Sequence, residues 1–406
     1  MLLNLPRARA VMAERGLDAL VAAHRINIYY LTDFWGALQR IDRSWSTYAV
    51  LPRDPDAPAA LVVALAELHL LDRRPTWVPN VITYARSRAE GGAGTADAGP
   101  PELYPRRAGL PLTATEQAWT RIVDNQAGKY QPSALLALKR AMTDAGLAKA
   151  RIGTDDPRLI GWLQGSGLDG LTGVDAVTAF RHIRMVKTPD EIALLKRAAE
   201  INVAAIEAVV GAVHEGATVE EMELVFNIAW AQRGGQALYI LLGSAGGLRH
   251  GSVQKGDPFM VDALGTYRGY HGDTGRTVVF GEPPAEVRKA AAALQKGWQT
   301  ACAAAKPGVA VPDLLTLATE TVNREGFSQY HRAVAHSVGL EHTDNPVTHG
   351  TEAPPSGLVL MENMVLSLDM PHHEFGFGHL HLEDSILIGR QGATVLAPMQ
   401  QDLIVR

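Results

Sequence analysis

Over roughly the first 180 residues of this 406-residue chain, short apolar runs alternate with amphipathic stretches. LDALVAA (17–23), INIYYL (26–31), STYAVLP (46–52) and NVITYA (80–85) are too short for ordinary helices, and most are rich in β-branched and aromatic residues. The pattern predicts strands of an α/β domain covering residues 1–180. Within it, RSRAEGGAGTADAGPPELYPRRAGLP (86–111) is dense in Gly, Ala, Pro and charge, which predicts a surface loop, with the role of a lid open to it.

The texture changes near residue 185. Thr188-Pro189-Asp190-Glu191 supplies an N-cap, a proline at the first helical position and a capping-box glutamate, and the helical run IALLKRAAEINVAAIEAVV follows. A second box, Thr218 to Glu221, opens EEMELVFNIAWAQR, and strand-rich sequence then runs from about 237 to 280. AEVRKAAAALQKGWQTACAAAK and VPDLLTLATETVNREG form another helix pair, ended by Gly326, before strand-like segments from about 333 to 390. Two helices followed by sheet thus occur twice. The order predicts a second domain, residues 181–406, in which helix pairs back one curved sheet.

Composition narrows the function. A net charge of -5 and a pI near 6.3 give no basic footprint for nucleic acid or an anionic membrane, so a small soluble substrate is expected. The single cysteine, Cys302, rules out a disulfide framework and a thiolate zinc site. The apolar opening MLLNL is broken by Pro6 and Arg7, and no run approaches the roughly 20 apolar residues of a membrane span. A cytoplasmic location is the expectation. GSAGGLRHG lacks the Lys-Ser/Thr ending of a phosphate-binding loop, so no nucleotide is implied.

The candidate chemistry lies in acidic hairpins. If VDALGTYRGYHGDTGRT (261–277) folds back at Tyr267 and Arg268, Asp262 comes directly opposite Asp273. In MVLSLDMPHHEFGFGHLHLEDS, a hairpin centred on Gly376 sets Asp369 opposite Glu383. Facing carboxylates are tolerated when both are solvated, when they share a proton, or when a divalent cation lies between them. His336, in AVAHSVGLEH, adds an imidazole beside Gly339. Four carboxylates with one imidazole suit a pair of Mn, Fe, Co or Zn ions, whereas calcium more often dispenses with nitrogen ligands.

At these residues the chain resembles a known family. GDPFMVDALGTYRGYHGDTGRT, HSVGLEH and MVLSLD followed by HLED are similar, in order and spacing, to the metal-ligand motifs of the pita-bread metallopeptidase superfamily. That superfamily includes aminopeptidase P, prolidase, methionine aminopeptidase and the metal-free creatinase. RGLDALVAAHRINIYYLTDF resembles the creatinase-type N-terminal domain, and IRMVKTPDEIALLKRAAEI the junction into the catalytic domain.

The resemblance implies an α/β creatinase-type N-terminal domain followed by an α+β pita-bread domain with a curved antiparallel sheet and pseudo-twofold helix pairs. It implies that Asp262, Asp273, His336, Asp369 and Glu383 bind two divalent metal ions, manganese first, with zinc, cobalt or iron as alternatives. A bridging hydroxide would attack a carbonyl while Asp369 carries the proton, which makes an Xaa-Pro aminopeptidase or dipeptidase acting on a short peptide. His250 stands where relatives carry a histidine that contacts the scissile group, and a homodimer is expected.

Three departures leave other readings open. Asp369 replaces the usual glutamate, with Glu374 a weaker substitute; Thr343 occupies the place of a second substrate-contacting histidine, with His342 and Asp344 beside it; and His381 replaces an arginine. His250, Asp369 and His342 are accordingly the catalytic candidates, and His250, His342 and His381 the substrate-binding ones. His381, His372 and His373 together predict an imidazole-rich rim. The same scaffold would also suit a hydrolase of creatine- or ectoine-type C–N bonds, a lyase acting on a sulfonium substrate, or a peptide- or protein-binding member without catalysis.

Overall fold

The structure is a computed structural model that describes residues 1–41, 46–84, 105–126, 128–243, 247–346, 357–399 and 403–406. The chain divides into two compact units, Met1–Ile183 and Arg184–Arg406. Residues 86–104 of the expected surface loop lie outside the described residues.

The first unit is built on strands β1 (Ala19–Ala22), β2 (Tyr48–Pro52), β3 (Ala60–Ala64), β4 (Asn80–Tyr84), β5 (Arg151–Thr154) and β6 (Thr172–Asp175). Its helices are α1 (Leu5–Glu14), α2 (Arg25–Thr32), α3 (Ala37–Arg40), α4 (Leu70–Arg73), α5 (Ala114–Asp124), α6 (Ala134–Asp144), α7 (Arg158–Gly165) and α8 (Val177–Arg184), the last ending one residue into the second unit. The strands form one mixed sheet in the order β4-β3-β2-β1-β5-β6, with β1 to β4 wholly or largely buried. An apolar cluster of Val21, Val50, Val62, Ile152, Leu138 and Leu163 packs the sheet against α6 and α7.

INIYYL is not a strand; it forms most of α2. The cap comes from far along the chain: Asp155 accepts from the backbone N–H groups of Ala23 (2.7 Å) and His24 (3.1 Å) and from Asn27 Nδ2 (2.7 Å). This carboxylate, 131 residues from His24, satisfies amides that a helix start leaves without intrahelical partners. An apolar run this short has no periodicity to separate the two states, so the tertiary cap decides.

In the second unit, α9 (Pro189–Ala212) and α10 (Val219–Gln232) precede β7 (Gln236–Leu241), β8 (Pro258–Tyr267) and β9 (Tyr270–Val279). α11 (Ala285–Ala304) and α12 (Val311–Arg324) precede β10 (Val334–Ser337), β11 (Val365–Asp369), β12 (His372–Glu374), β13 (Gly378–Leu380), β14 (Glu383–Ile388), β15 (Ala393–Val395) and β16 (Leu403–Val405). Both expected capping boxes form, Thr188 with Glu191 and Thr218 with Glu221, and Gly326 at φ 90° follows the end of α12.

The main sheet runs β10-β11-β14-β9-β8-β7, its neighbours along that order antiparallel, with β15 on β14 and β16 parallel to β9. It is the curved antiparallel sheet of the expected fold class. Each helix pair has its own core against it. Ile201, Phe226 and Trp230 pack on Val261 and Val278, and Leu294, Leu314 and Val322 pack on Leu366, Leu368 and Ile386. Gly265 and Gly272 let the helices come close: a Cβ on the first would lie 2.2 Å from the Trp230 ring, and on the second 2.3 Å from the Ala198 carbonyl of α9. Among the described residues, no helix is long and apolar enough to cross a membrane.

Candidate metal centre

The β8–β9 hairpin turns at Arg268 and Gly269, with φ of 50° and 83°, and Tyr267 faces Tyr270. Two consecutive positive φ values are the signature of the twisted two-residue turn that hairpins favour. The turn therefore lies one residue further on than Tyr267–Arg268. Asp262 faces Gly275, and Asp273 faces Leu264. The two aspartates are diagonal neighbours instead of directly opposed. A shift of two in register keeps side-chain parity, so both still lie on one face.

The second acidic pair lies as its hairpin predicts, with Asp369 directly opposite Glu383 across β11 and β14. Glu383 also pairs with Gly275 of β9. Asp262, Gly275, Glu383 and Asp369 thus form one row across four strands. Gly275 leaves a gap in that row, filled by the His381 ring, whose atoms would lie 2.8 to 2.9 Å from a Cβ at this position. His336, on β10, faces Ser367, which in turn faces Ser385; the Ser385 hydroxyl donates to the Asp273 carbonyl at 3.2 Å.

Among the described residues, two groups of potential ligand atoms converge, each within 4.8 Å of one another: Asp273, His336 and His342, and Asp262, His381 and Glu383. Asp369 borders the second group, with its Oδ1 2.6 Å from His381 Nε2. His381 is buried among carboxylates, not at a rim, and also lies 3.4 Å from Glu383 Oε2. His372 is likewise buried, its ring 4.6 Å from that of Phe327. His373 sits against His379, with their Nδ1 atoms 3.0 Å apart. His250 is half exposed and pairs with Asp257 at 3.0 Å, outside both groups.

The electrostatics are those of crowded, dehydrated carboxylates. Burial, reinforced by the charges of Glu383 and Asp369, pushes the Asp262 carboxyl up to about 7. Burial and Glu383 raise Asp273 well above the usual carboxylate range. Burial opposes ionisation of Glu383 too, but His381 and the Ser367 hydroxyl, which donates to Oε1 at 2.5 Å, hold it down at about 2. His381 is raised despite burial because Asp369 and Glu383 favour its protonated form. The surroundings thus favour the charged form of Glu383 and the protonated form of His381, and oppose charge on Asp262 and Asp273.

Several buried atoms here have no hydrogen-bond partner: both Asp273 carboxylate oxygens, Nδ1 of His336 and Nδ1 of His381. Stranding a buried polar atom costs about 1–3 kcal/mol. Asp273 Oδ2 lies 3.2 Å from His342 Nε2 and 3.5 Å from His336 Nε2, yet neither nitrogen meets hydrogen-bond geometry toward it. Lone pairs that converge without pointing at one another match a shared cation, so the donor set fits divalent metal.

A network that the sequence motifs did not reveal fixes the loop after β10. Asp344 accepts from Arg184 Nη2 at 2.6 Å and lies 3.5 Å from Lys187 Nζ, all three side chains being buried; Arg184 also binds Glu341. The His271 backbone N–H (3.0 Å) and Nδ1 (2.9 Å) both reach the Gly339 carbonyl. Two cations in the apolar run IRMVK are the one signal in the sequence, and their partner lies 160 and 157 residues further on.

A curved sheet backed by paired helices, with acidic and imidazole side chains converging on one face, defines the pita-bread class of metal-centred folds. Residues 5–131 match the Creatinase/Prolidase N-terminal domain and residues 193–390 match Metallopeptidase family M24. Together the two matches place the chain in the pita-bread metallopeptidase superfamily. It is 27% identical over 235 residues to the Xaa-Pro dipeptidase of Pyrococcus furiosus, covering 55% of this chain and 66% of that one. It is 30% identical over 254 residues to the probable dipeptidase PepE of Mycobacterium tuberculosis, covering 58% and 64%. The chain thus spans just under two thirds of the length of these curated relatives. In three dimensions it resembles the prolidase of P. furiosus (TM-score 0.68, 18% identity, 97% of this chain and 100% of that one). It also resembles the X-Pro aminopeptidase of Thermotoga maritima (TM-score 0.71, 19% identity, 97% and 99%).

Proposed function

We propose that this chain is a dinuclear metal-dependent hydrolase that cleaves short Xaa-Pro peptides, a dipeptidase before an aminopeptidase. The observation that carries the reading is the pair of converging ligand groups around an Asp273 whose two oxygens are buried and unpartnered. The names of the relatives supply the substrate class. In this reading Asp262, Asp273, His336 and Glu383 hold two divalent ions, for which the carboxylate-rich set puts manganese first. Such ions supply Lewis acidity, lowering the pKa of a water and polarising the scissile carbonyl.

The protein's own groups do the rest. The Asp369 Oδ1–His381 Nε2 pair holds a proton between two buried groups and delivers it to the leaving nitrogen. His381, helped by Ser367 donating to Oε1, keeps Glu383 ionised. Tyr239, its ring 6.4 Å from that of His342, walls the site beside the exposed edge of that imidazole.

The test is metal stoichiometry by mass spectrometry on protein purified without chelator and after manganese loading, followed by turnover of Gly-Pro against a Gly-Pro-Xaa tripeptide. Two ions per chain and cleavage of the dipeptide are expected, with both lost in Asp262→Ala. Metal without cleavage of either peptide refutes the substrate class and directs the search to other amides. Activity that survives loss of metal refutes the mechanism. The expected homodimer is checked by light scattering on the same samples.

A further inference from the structure

The family pattern gives this centre one imidazole, His336, but the structure brings a second to the same place. His342 Nε2 lies 3.2 Å from Asp273 Oδ2, and its ring centroid is 4.6 Å from that of His336, the two rings edge to face. With Asp273 they form a group whose ligand atoms all fall within 4.8 Å of one another. Asp369 Oδ1 is meanwhile engaged by His381 Nε2 at 2.6 Å, and the His381 ring occupies the gap above Gly275.

We infer that His342 is a metal ligand, and that it takes at one ion the place expected for Asp369. This rests on the dinuclear reading above. The exchange would replace an oxygen donor with a nitrogen donor and give one ion two imidazoles, His336 and His342, beside the Asp273 carboxylate. Imidazole favours zinc, iron and cobalt over manganese, so the two positions differ in the ion they prefer.

The surrounding structure supports a fixed ligand at 342. Its neighbours on both sides are tied down: Glu341 and Asp344 both bind Arg184, and Lys187 flanks Asp344. The Asp344 backbone N–H donates to the Ser337 carbonyl (2.8 Å), and Ser337 N–H donates to Asn345 Oδ1 (2.7 Å), closing the loop onto the strand that carries His336. A Cβ on Gly339 would lie 2.3 Å from Asp344 Oδ2, so the tight turn needs glycine there. A ligand held by packed and hydrogen-bonded neighbours binds metal in a preorganised geometry. The one-residue slip of the histidine from 343 to 342 is thus a change of role, from substrate contact to metal ligand.

The experiment titrates metal-stripped wild-type, His342→Gln and Asp369→Asn proteins with Co²⁺. It follows the visible d–d bands and bound ion by mass spectrometry, with circular dichroism checking that each variant is folded. X-ray absorption of the Zn²⁺-loaded proteins counts imidazoles independently of activity. Expected are two ions in wild type and in Asp369→Asn, but in His342→Gln the second ion held at least tenfold more weakly and one imidazole fewer. Unchanged binding of both ions by His342→Gln overturns the inference, as does loss of an ion in Asp369→Asn. Failure of wild type to bind two ions overturns the dinuclear reading itself, a separate result visible before any variant is compared.

Discussion

Glu191 offers a test of stability that needs neither metal nor substrate. It is the capping-box residue of α9 and is buried, with Oε2 accepting from the Thr188 backbone N–H at 2.8 Å and Oε1 from the Tyr270 hydroxyl at 3.2 Å. Burial outweighs the nearby Lys187 charge and these bonds, and pushes the carboxyl from 4.5 up to about 7. Between those values the folded protein keeps a proton that the unfolded chain has lost. The stability associated with this group is therefore full below about pH 4.5, falls as pH rises, and levels off above about 7. The difference between the two pKa values corresponds to about 3 kcal/mol. Replacing Glu191 with Gln keeps the shape and a capping oxygen but removes the titration. Urea unfolding of both proteins at pH 5 and pH 8 isolates the effect, since every other group titrates alike in each. Wild type should lose about 2–3 kcal/mol more than Glu191→Gln between the two pH values. Parallel losses, within about 0.5 kcal/mol, would show that Glu191 stays ionised and that its bonds and Lys187 prevail over burial.

Other perturbations probe the sheet that builds the centre. Arg276 is buried and grips Asp384 through Nη2 at 2.9 and 3.0 Å, so Asp384→Ala should remove the carboxylate that faces its charge and cost about 3–5 kcal/mol in chemical unfolding. Arg268 sits at φ 50° in the hairpin turn, and Asn there should relieve about 1 kcal/mol of strain while forfeiting about 0.5 kcal/mol from the Tyr267 ring 5.7 Å away. A small rise in the urea midpoint is the expected result. Gly275→Ala should drive the His381 ring from its gap, at about 1–3 kcal/mol, and the loss of the His381–Asp369 bond should appear as a moved imidazole resonance in NMR spectra.

How far the sequence could be read depended on whether a feature was local. The helix pairs were legible because Thr188, Glu191, Thr218 and Glu221 carry their own capping chemistry. The Asp369–Glu383 register followed from the glycine at the hairpin centre. The Asp262–Asp273 register was missed by two, since an arginine at positive φ is a poor advertisement for a turn, although parity kept both carboxylates on the right face. What needed three dimensions was long-range: Asp155 capping α2, Asp344 pairing with Arg184 and Lys187, and the His381 ring filling the space left by Gly275. No local pattern marks a cavity made by a glycine on another strand.

The place of β14 between β9 and β11 bears on how the molecule is made. The hairpin bearing Asp262, Asp273 and Arg276 emerges from the ribosome well before its partners, for Asp384 lies 108 residues behind Arg276. At about 5–20 residues per second, the nascent hairpin waits roughly 5–20 s with its charges unanswered and one strand edge open. Chaperone occupancy during translation should therefore peak after β9 and fall once β14 is out, and a message truncated before that strand should yield a chain bound for proteolysis.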